Sequence, residues 1–229
     1  MALPFVFNNQ KLVNRLLTKI SEAEKVTLED LINDRIEQEP AVTDRLLGVM
    51  QYLLNNQTVA GVKWRAKTLT DRGRGSQESN YGADFLAVLE LDIQGYQVKK
   101  GFLAQAKLIE PSESFGNANF EKMREQCEKM LKHSSASYIF LYSQQSGIVV
   151  VPAIEIVGAR SCNPHELTSR PMRQFYREHF ECFVGDRAIQ SASPQALQEL
   201  SDRFDARSAI VISGTDSRRE SQMDLFDAE

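Results

Sequence analysis

Three residues in two neighbouring apolar runs have the types and spacing for phosphoester chemistry. Asp84 stands near the start of the first, "GADFLAVLELDI", and Gln105 and Lys107 stand at the end of the second, "GFLAQAK". In an extended strand, residues i and i+2 share a face, so Gln105 and Lys107 point one way and Ala106 the other. An antiparallel partner strand brings Asp84 beside them. A hard cation such as Mg²⁺ takes oxygen ligands and keeps several waters. Asp84 supplies a carboxylate, while the Gln105 side chain and the Ala106 carbonyl supply neutral oxygens. Lys107 would then position or activate a water and stabilise charge on a phosphate. Each residue also has a plainer reading. A strand-end lysine snorkels to solvent, an aspartate before an apolar run caps a turn, and a glutamine sits on an edge strand.

Two further acids are candidates for the same centre. Glu78, six residues before Asp84 in "GSQESNYGADF", is tethered close to it and is slightly favoured. Glu39 begins a helical stretch, where an acid also suits the helix dipole and nothing more. Cations come from "KWRAKTLTDRGRG", which holds Lys63, Arg65, Lys67, Arg72 and Arg74. Alternation puts the first three on one strand face, and the two loop arginines lie among glycines. Such a set neutralises phosphates without reading sequence, although a solvated strand face looks the same.

A rival metal site is present. Cys162-x2-His165 and His179-x2-Cys182 have zinc-like spacing. Against zinc, "HFECF" alternates as a half-buried strand does, and cysteine is a common core residue. His133, near a helix end, reads as a dipole partner or surface residue.

These residues need elements to hold them. Residues 8–37 read as two short helices, with Thr27 as N-cap of the second. "EPAVTDRLLGVMQYLLNN" is a stronger helix with Pro40 in its first turn. "VKWRAKTLT" is a strand, followed by the loop "DRGRGSQESNYG" and then a hairpin turning at "DIQGY". "NFEKMREQCEKMLKH" is an amphipathic helix, and "SYIFLY" and "IVVVPA" are buried strands. Beyond them, "SRPMRQFYREHF" reads as a helix, "ECFVGD" as a short strand, and "SPQALQELSDRF" as a helix capped by Ser193. From about residue 206 the pattern fades into a polar end, read as a mobile tail.

A chain of 229 residues, 42% hydrophobic and 25% charged, builds one sizeable domain. A net charge of −4 does not advertise nucleic-acid binding, yet a local basic groove can sit on an acidic body. No apolar run is long enough for a membrane span, and "MALPFVFNNQ" lacks the form of a secretory signal. Three cysteines fit reduced thiols in a cytoplasmic protein better than a disulfide framework.

The order helix, three strands, helix, strand, with "GAD" on one strand and "QAK" on the next, resembles the PD-(D/E)XK nuclease superfamily. Glutamine in place of the usual acid is similar to its Mrr-like restriction endonuclease branch. The resemblance covers roughly residues 38–152. It implies an α/β fold, with a restriction-endonuclease-like αβββαβ core and a mixed central sheet flanked by helices. The domains it suggests are an N-terminal helical extension (1–37), a nuclease domain (38–205) and a disordered C-terminal tail (206–229). It further implies a Mg²⁺- or Mn²⁺-dependent deoxyribonuclease. Asp84 would be the metal ligand, Gln105 the variant second ligand and Lys107 the catalytic lysine, with a helix-borne acid assisting. Gln105 removes one negative charge, and another acid would compensate. Antiviral defence is a role natural to that branch.

Within the tail, Gln222, Met223, Asp224, Leu225 and Phe226 resemble the bacterial sliding-clamp-binding motif, with Met where Leu is common. Leu225 and Phe226 would enter an apolar pocket, Met223 a shallower one, and Gln222 would anchor by its amide. The expected partners are thus DNA and the bacterial DNA polymerase sliding clamp, with no membrane and with a homodimer left open.

Overall fold

The computed structural model describes residues 10–70, 83–93, 96–190, 199–200, 202 and 206–216. Helix α1 (Gln10–Ile32) and helix α2 (Glu39–Leu54) lead into strands β1 (Gln57–Val59), β2 (Val62–Thr70), β3 (Ala83–Ile93) and β4 (Tyr96–Leu108). Helix α3 (Asn117–His133) is followed by β5 (Ser137–Ser143), β6 (Gly147–Pro152), α4 (Ala153–Gly158), β7 (Arg170–Pro171), α5 (Met172–Phe180) and β8 (Ala206–Asp216). The fold is α/β with one mixed sheet flanked by helices, as expected. Among the described residues no helix is long and apolar enough to cross a membrane.

The strands form one sheet in the order β1-β2-β8-β3-β4-β5-β6-β7. β3 and β4 are an antiparallel hairpin, with Phe85 opposite Ala104. β4 runs parallel to β5, and β8 runs parallel to β3 while pairing antiparallel with β2. Strand alternation sorts the core into two layers. Phe85, Ala87 and Leu89 face one side with Phe102, Phe140 and Trp64, beneath α1, α2 and α5. Leu86 and Val88 face the other with Leu103, Ile139 and Leu141, beneath α3 and α4. The first layer is rich in rings. Phe102 stacks near Phe140 at 6.1 Å and meets Phe175 edge-on at 5.0 Å, an arrangement that aromatic quadrupoles favour.

Three sequence expectations are corrected. Residues 8–37 hold one long helix, not two, within the described part. The Thr27 hydroxyl donates to the Ala23 carbonyl at 2.8 Å, satisfying itself inside the helix instead of capping a new one. The apolar stripe of Leu12, Leu16, Leu17, Ile20 and Leu31 runs through it into the core shared with α2. "ECFVGD" forms a turn, because Cys182 (φ 68°) and Gly185 (φ 117°) leave the extended region. Only Asp186 makes a lone bridge to Gly101.

The third correction concerns the boundary at residue 206. Residues 206–216 are an interior strand, wedged between β2 and β3, with Ala209, Ile210 and Ile212 buried. Ser193 and most of the helix expected after it lie outside the described residues, as do residues 217–229.

Candidate active site

The site forms where β3 and β4 part. Their pairing ends at Phe85 and Ala104, after which β4 continues to Leu108 alongside β5. Past that point the Ala106 N–H has no β3 carbonyl to meet, and it donates to Asp84 Oδ2 at 2.7 Å. The Gln105 amide nitrogen donates to the same oxygen. Gln105 is only 3% exposed, and its Oε1 is a buried acceptor with no partner among the described residues. A buried polar atom left this way costs free energy unless something fills it.

Lys107 Nζ lies 3.2 Å from Glu39 Oε1, and Glu39 Oε2 accepts the Leu108 N–H at 3.1 Å. Glu39 is the first residue of α2, with Pro40 next, where a missing N–H costs the helix nothing. One turn on, the Thr43 hydroxyl pairs with Tyr142 at 3.0 Å and ties α2 to β5. Burial pushes the Asp84 carboxyl above its ordinary value. Lys107 and the Ala106 N–H oppose that rise, the Glu39 carboxylate adds to it, and Arg207 opposes it.

The structure therefore brings Asp84, Gln105, Lys107 and Glu39 together from β3, β4 and α2. Of the two assisting acids, Glu39 is at the centre, while Glu78 lies outside the described residues, as do Arg72 and Arg74. Lys63, Arg65 and Lys67 do alternate on β2 against buried Val62, Trp64 and Ala66. The register puts Lys67 level with Val211 and Val88. It thus shares a sheet face with Asp84 but sits two strands away and about 13 Å along the strand direction.

Arg207 was not anticipated. It leads β8, and its Nη2 donates to the Pro40 carbonyl at 3.2 Å and to Asp44 Oδ1 at 3.5 Å. The next side chain, Ser208, donates to the same Asp44 oxygen at 3.2 Å. The apolar run Ala209 to Ile212 was the available signal that this region is a buried strand.

The rival zinc ligands are not brought together. Cys162 packs with the layer under α3 and α4, and Cys182 with the opposite layer. His179 is buried, with Nδ1 on the Val184 carbonyl at 3.1 Å, and burial pushes its pKa down to about 3. His165 Nε2 meets the Ile109 carbonyl at 3.0 Å, and the Cys182 thiol meets the Tyr96 hydroxyl at 2.7 Å. All three cysteines are free. His133 is the last residue of α3, beside Lys132 in its final turn.

Among the described residues, no group of three or more His, Cys, Asp or Glu side chains gathers as a metal-binding set. What the site offers is two carboxylates, Asp84 and Glu39, and the orphaned Gln105 oxygen. These are hard oxygen donors of the kind Mg²⁺ or Mn²⁺ accepts, alongside retained waters. Comparison with protein-family models, with curated proteins and with solved structures finds no match.

Proposed function

We propose that this chain is a metal-dependent DNA nuclease that hydrolyses phosphodiester bonds. One observation carries the reading: an acid, an amide, a lysine and a second acid converge at one end of the sheet from three separate elements. Asp84, Gln105 and the Ala106 backbone would hold a divalent ion, with Glu39 able to join them. Such an ion supplies neutralisation of the charge that develops on a scissile phosphate. Lys107 stands next to that position, tethered by Glu39. Its ammonium orients the attacking water and stabilises the phosphate oxygens by preorganised charge. Lys63, Arg65 and Lys67 on the same sheet face extend a track for a phosphate backbone, with Arg72 and Arg74 as further candidates.

Residues 222–226 would dock on a bacterial sliding clamp and so recruit the enzyme to DNA, in defence against foreign DNA or in repair. The deciding experiment incubates the purified chain with plasmid, linear and single-stranded DNA in Mg²⁺ and Mn²⁺, with and without clamp. Metal-dependent cleavage, lost on chelation, supports the reading.

A second reading is favoured by one feature. Gln105 replaces an acid, and its amide already donates to Asp84. The chain would then be a catalytically inactive DNA-binding or clamp-adaptor protein on a nuclease-like fold. Clamp-dependent DNA retention with no cleavage in either metal would select it.

A further inference from the structure

A cavity of about 480 Å³ opens where α1, α2 and β1 meet, and its lining includes Lys19, Gly48, Gln51, Tyr52, Asn55 and Gln57. Tyr52 is 80% exposed, so α2 holds this ring out to solvent and not in the core. Gly48 lies one turn earlier on the same helix face. A Cβ there would meet nothing within 4 Å, so no packing demands a glycine, although glycine inside a helix is destabilising relative to alanine. What Gly48 provides is open space beside the ring.

The two amides are oriented from behind. Gln51 Oε1 accepts the Thr68 N–H at 2.7 Å and the Thr68 hydroxyl as well, and Asn55 Oδ1 accepts the Ala66 N–H at 3.3 Å. With those oxygens committed to β2, N–H groups are what the two side chains have left to give. Lys19 adds an ammonium. Among the described residues no carboxylate lines this cavity. The cavity beside Leu108, by contrast, carries Asp34, Glu37, Glu110 and Glu113 and would repel phosphate. An aromatic face, N–H donors and a cation match a nucleotide, which has a base to stack and oxygens to accept. α2 links the cavity to the candidate centre. At 1.5 Å per residue the helix from Glu39 to Tyr52 spans about 20 Å, the length of about six nucleotides of stacked strand.

We propose that this cavity is a nucleotide subsite for single-stranded DNA: Tyr52 stacks one unpaired base, Lys19 meets a phosphate, and the Gln51 and Asn55 amides donate to acceptor oxygens. The choice of DNA rests on the nuclease reading, which the subsite deepens by naming the form of the substrate. A base inside a duplex is already stacked, and freeing it costs unpairing energy. The favoured substrate is then a single strand, or a duplex end with a single-stranded tail, anchored about six nucleotides from the scissile bond.

The test measures binding of the full chain to a fluorescent thymidine decamer, to a duplex of the same length and to thymidine monophosphate. All three are run in EDTA, so that no metal chemistry enters. Tyr52→Ala is expected to weaken binding of the single strand about tenfold or more, and Tyr52→Phe to keep it near wild type. Lys19→Gln should weaken it and lower the salt slope by about one. Gly48→Gln favours the helix but fills the cavity, so binding should fall in a chain no less stable to heat. Duplex binding should be insensitive to Tyr52→Ala. Unchanged single-strand affinity in Tyr52→Ala, or equal losses on single strand and duplex, would overturn the proposal. So would monophosphate binding as tight as that of the decamer, which would make the cavity a site for free nucleotides. Cleavage in Mg²⁺ is scored separately. If the binding results hold and the wild type cleaves no DNA, the nuclease reading fails and the subsite stands. If the wild type cleaves and Tyr52→Ala binds as before, the subsite alone fails.

Discussion

Glu39 and Lys107, separated by 68 positions in the chain, form an ion pair at 3.2 Å, with 29% and 19% of their side chains exposed. Partial burial makes this pair different from a solvated surface bridge, which is worth little. Glu39 also accepts the Leu108 N–H, so one carboxylate fixes both the lysine and the strand end that carries it. The lysine is thereby preorganised, and the helix start gains an acid at its positive pole.

Glu39→Gln should release Lys107 while keeping an acceptor for Leu108. Cleavage is expected to fall about 10- to 100-fold, as when a group that orients a site residue is lost. The folding cost is about 1 kcal/mol, that of an ordinary intramolecular hydrogen bond, because the pair is partly exposed. Glu78→Gln is the companion variant. A larger loss in Glu78→Gln than in Glu39→Gln, measured as initial rates on plasmid, would reverse the assignment of the assisting acid.

Asp84→Asn and Lys107→Ala should each reduce cleavage about a thousandfold, the size of effect attached to a lost charge at a reacting phosphate. Their stability effects should differ. Burial holds the Asp84 carboxyl above its ordinary value, so the folded chain keeps this proton to higher pH than the unfolded chain. Its contribution favours folding below the ordinary carboxylate range and is lost as pH rises from there through the raised value. Asp84→Asn should therefore raise the melting temperature at about pH 8 and leave it nearly unchanged at about pH 4. Paired thermal scans at the two pH values check this. Equal effects at both would mean that Asp84 carries no burial penalty. Neither variant should alter the far-UV spectrum.

Much of this centre is visible in the sequence because strands obey a period of two. Asp84, Gln105 and Lys107 fall on one face by alternation alone, and the hairpin needs only a turn to join them. Glu39 is harder, since which helix start meets which strand end is a matter of packing; here Pro40 and the Thr43–Tyr142 bond set it. Arg207 was hidden by its surroundings. "SAIVISG" is a buried-strand pattern, but polar flanks masked it, and no local rule says that a late strand inserts between two earlier ones. Thr27 misled for a similar reason: a hydroxyl that suits an N-cap can also bond back within a helix.

Gly101 offers a test of the architecture apart from the chemistry. A Cβ there would come 2.5 Å from Ile189 Cγ2 and 2.6 Å from the Ala87 carbonyl oxygen. The same residue exchanges backbone hydrogen bonds with Asp186, at 2.9 and 2.7 Å. The backbone contact leaves no room for relaxation without shifting β3 or the segment at Asp186. Gly101→Ala should cost about 1–3 kcal/mol, as overpacking does. Urea unfolding checks this, and a change under about 0.5 kcal/mol would mean the strands are less tightly apposed than described.

The final expectation concerns residues 222–226, which lie outside the described residues and are argued from their chemistry. Leu225 and Phe226 are two large apolar side chains in a stretch rich in Ser, Arg, Asp and Glu. Such a pair gains most by entering a preformed pocket, with Met223 in a shallower site and the Gln222 amide as anchor. Five residues held by two apolar anchors make a small contact, so affinity of about micromolar is expected. Deleting residues 221–229 should abolish co-migration with purified sliding clamp, and Leu225→Ala with Phe226→Ala should do the same. Cleavage of naked DNA without clamp should be unchanged in both, because the proposed centre is built from residues 39–208. Clamp binding that survives the deletion would move the docking site elsewhere on the chain. Cleavage lost along with clamp binding would instead tie the tail to the centre itself.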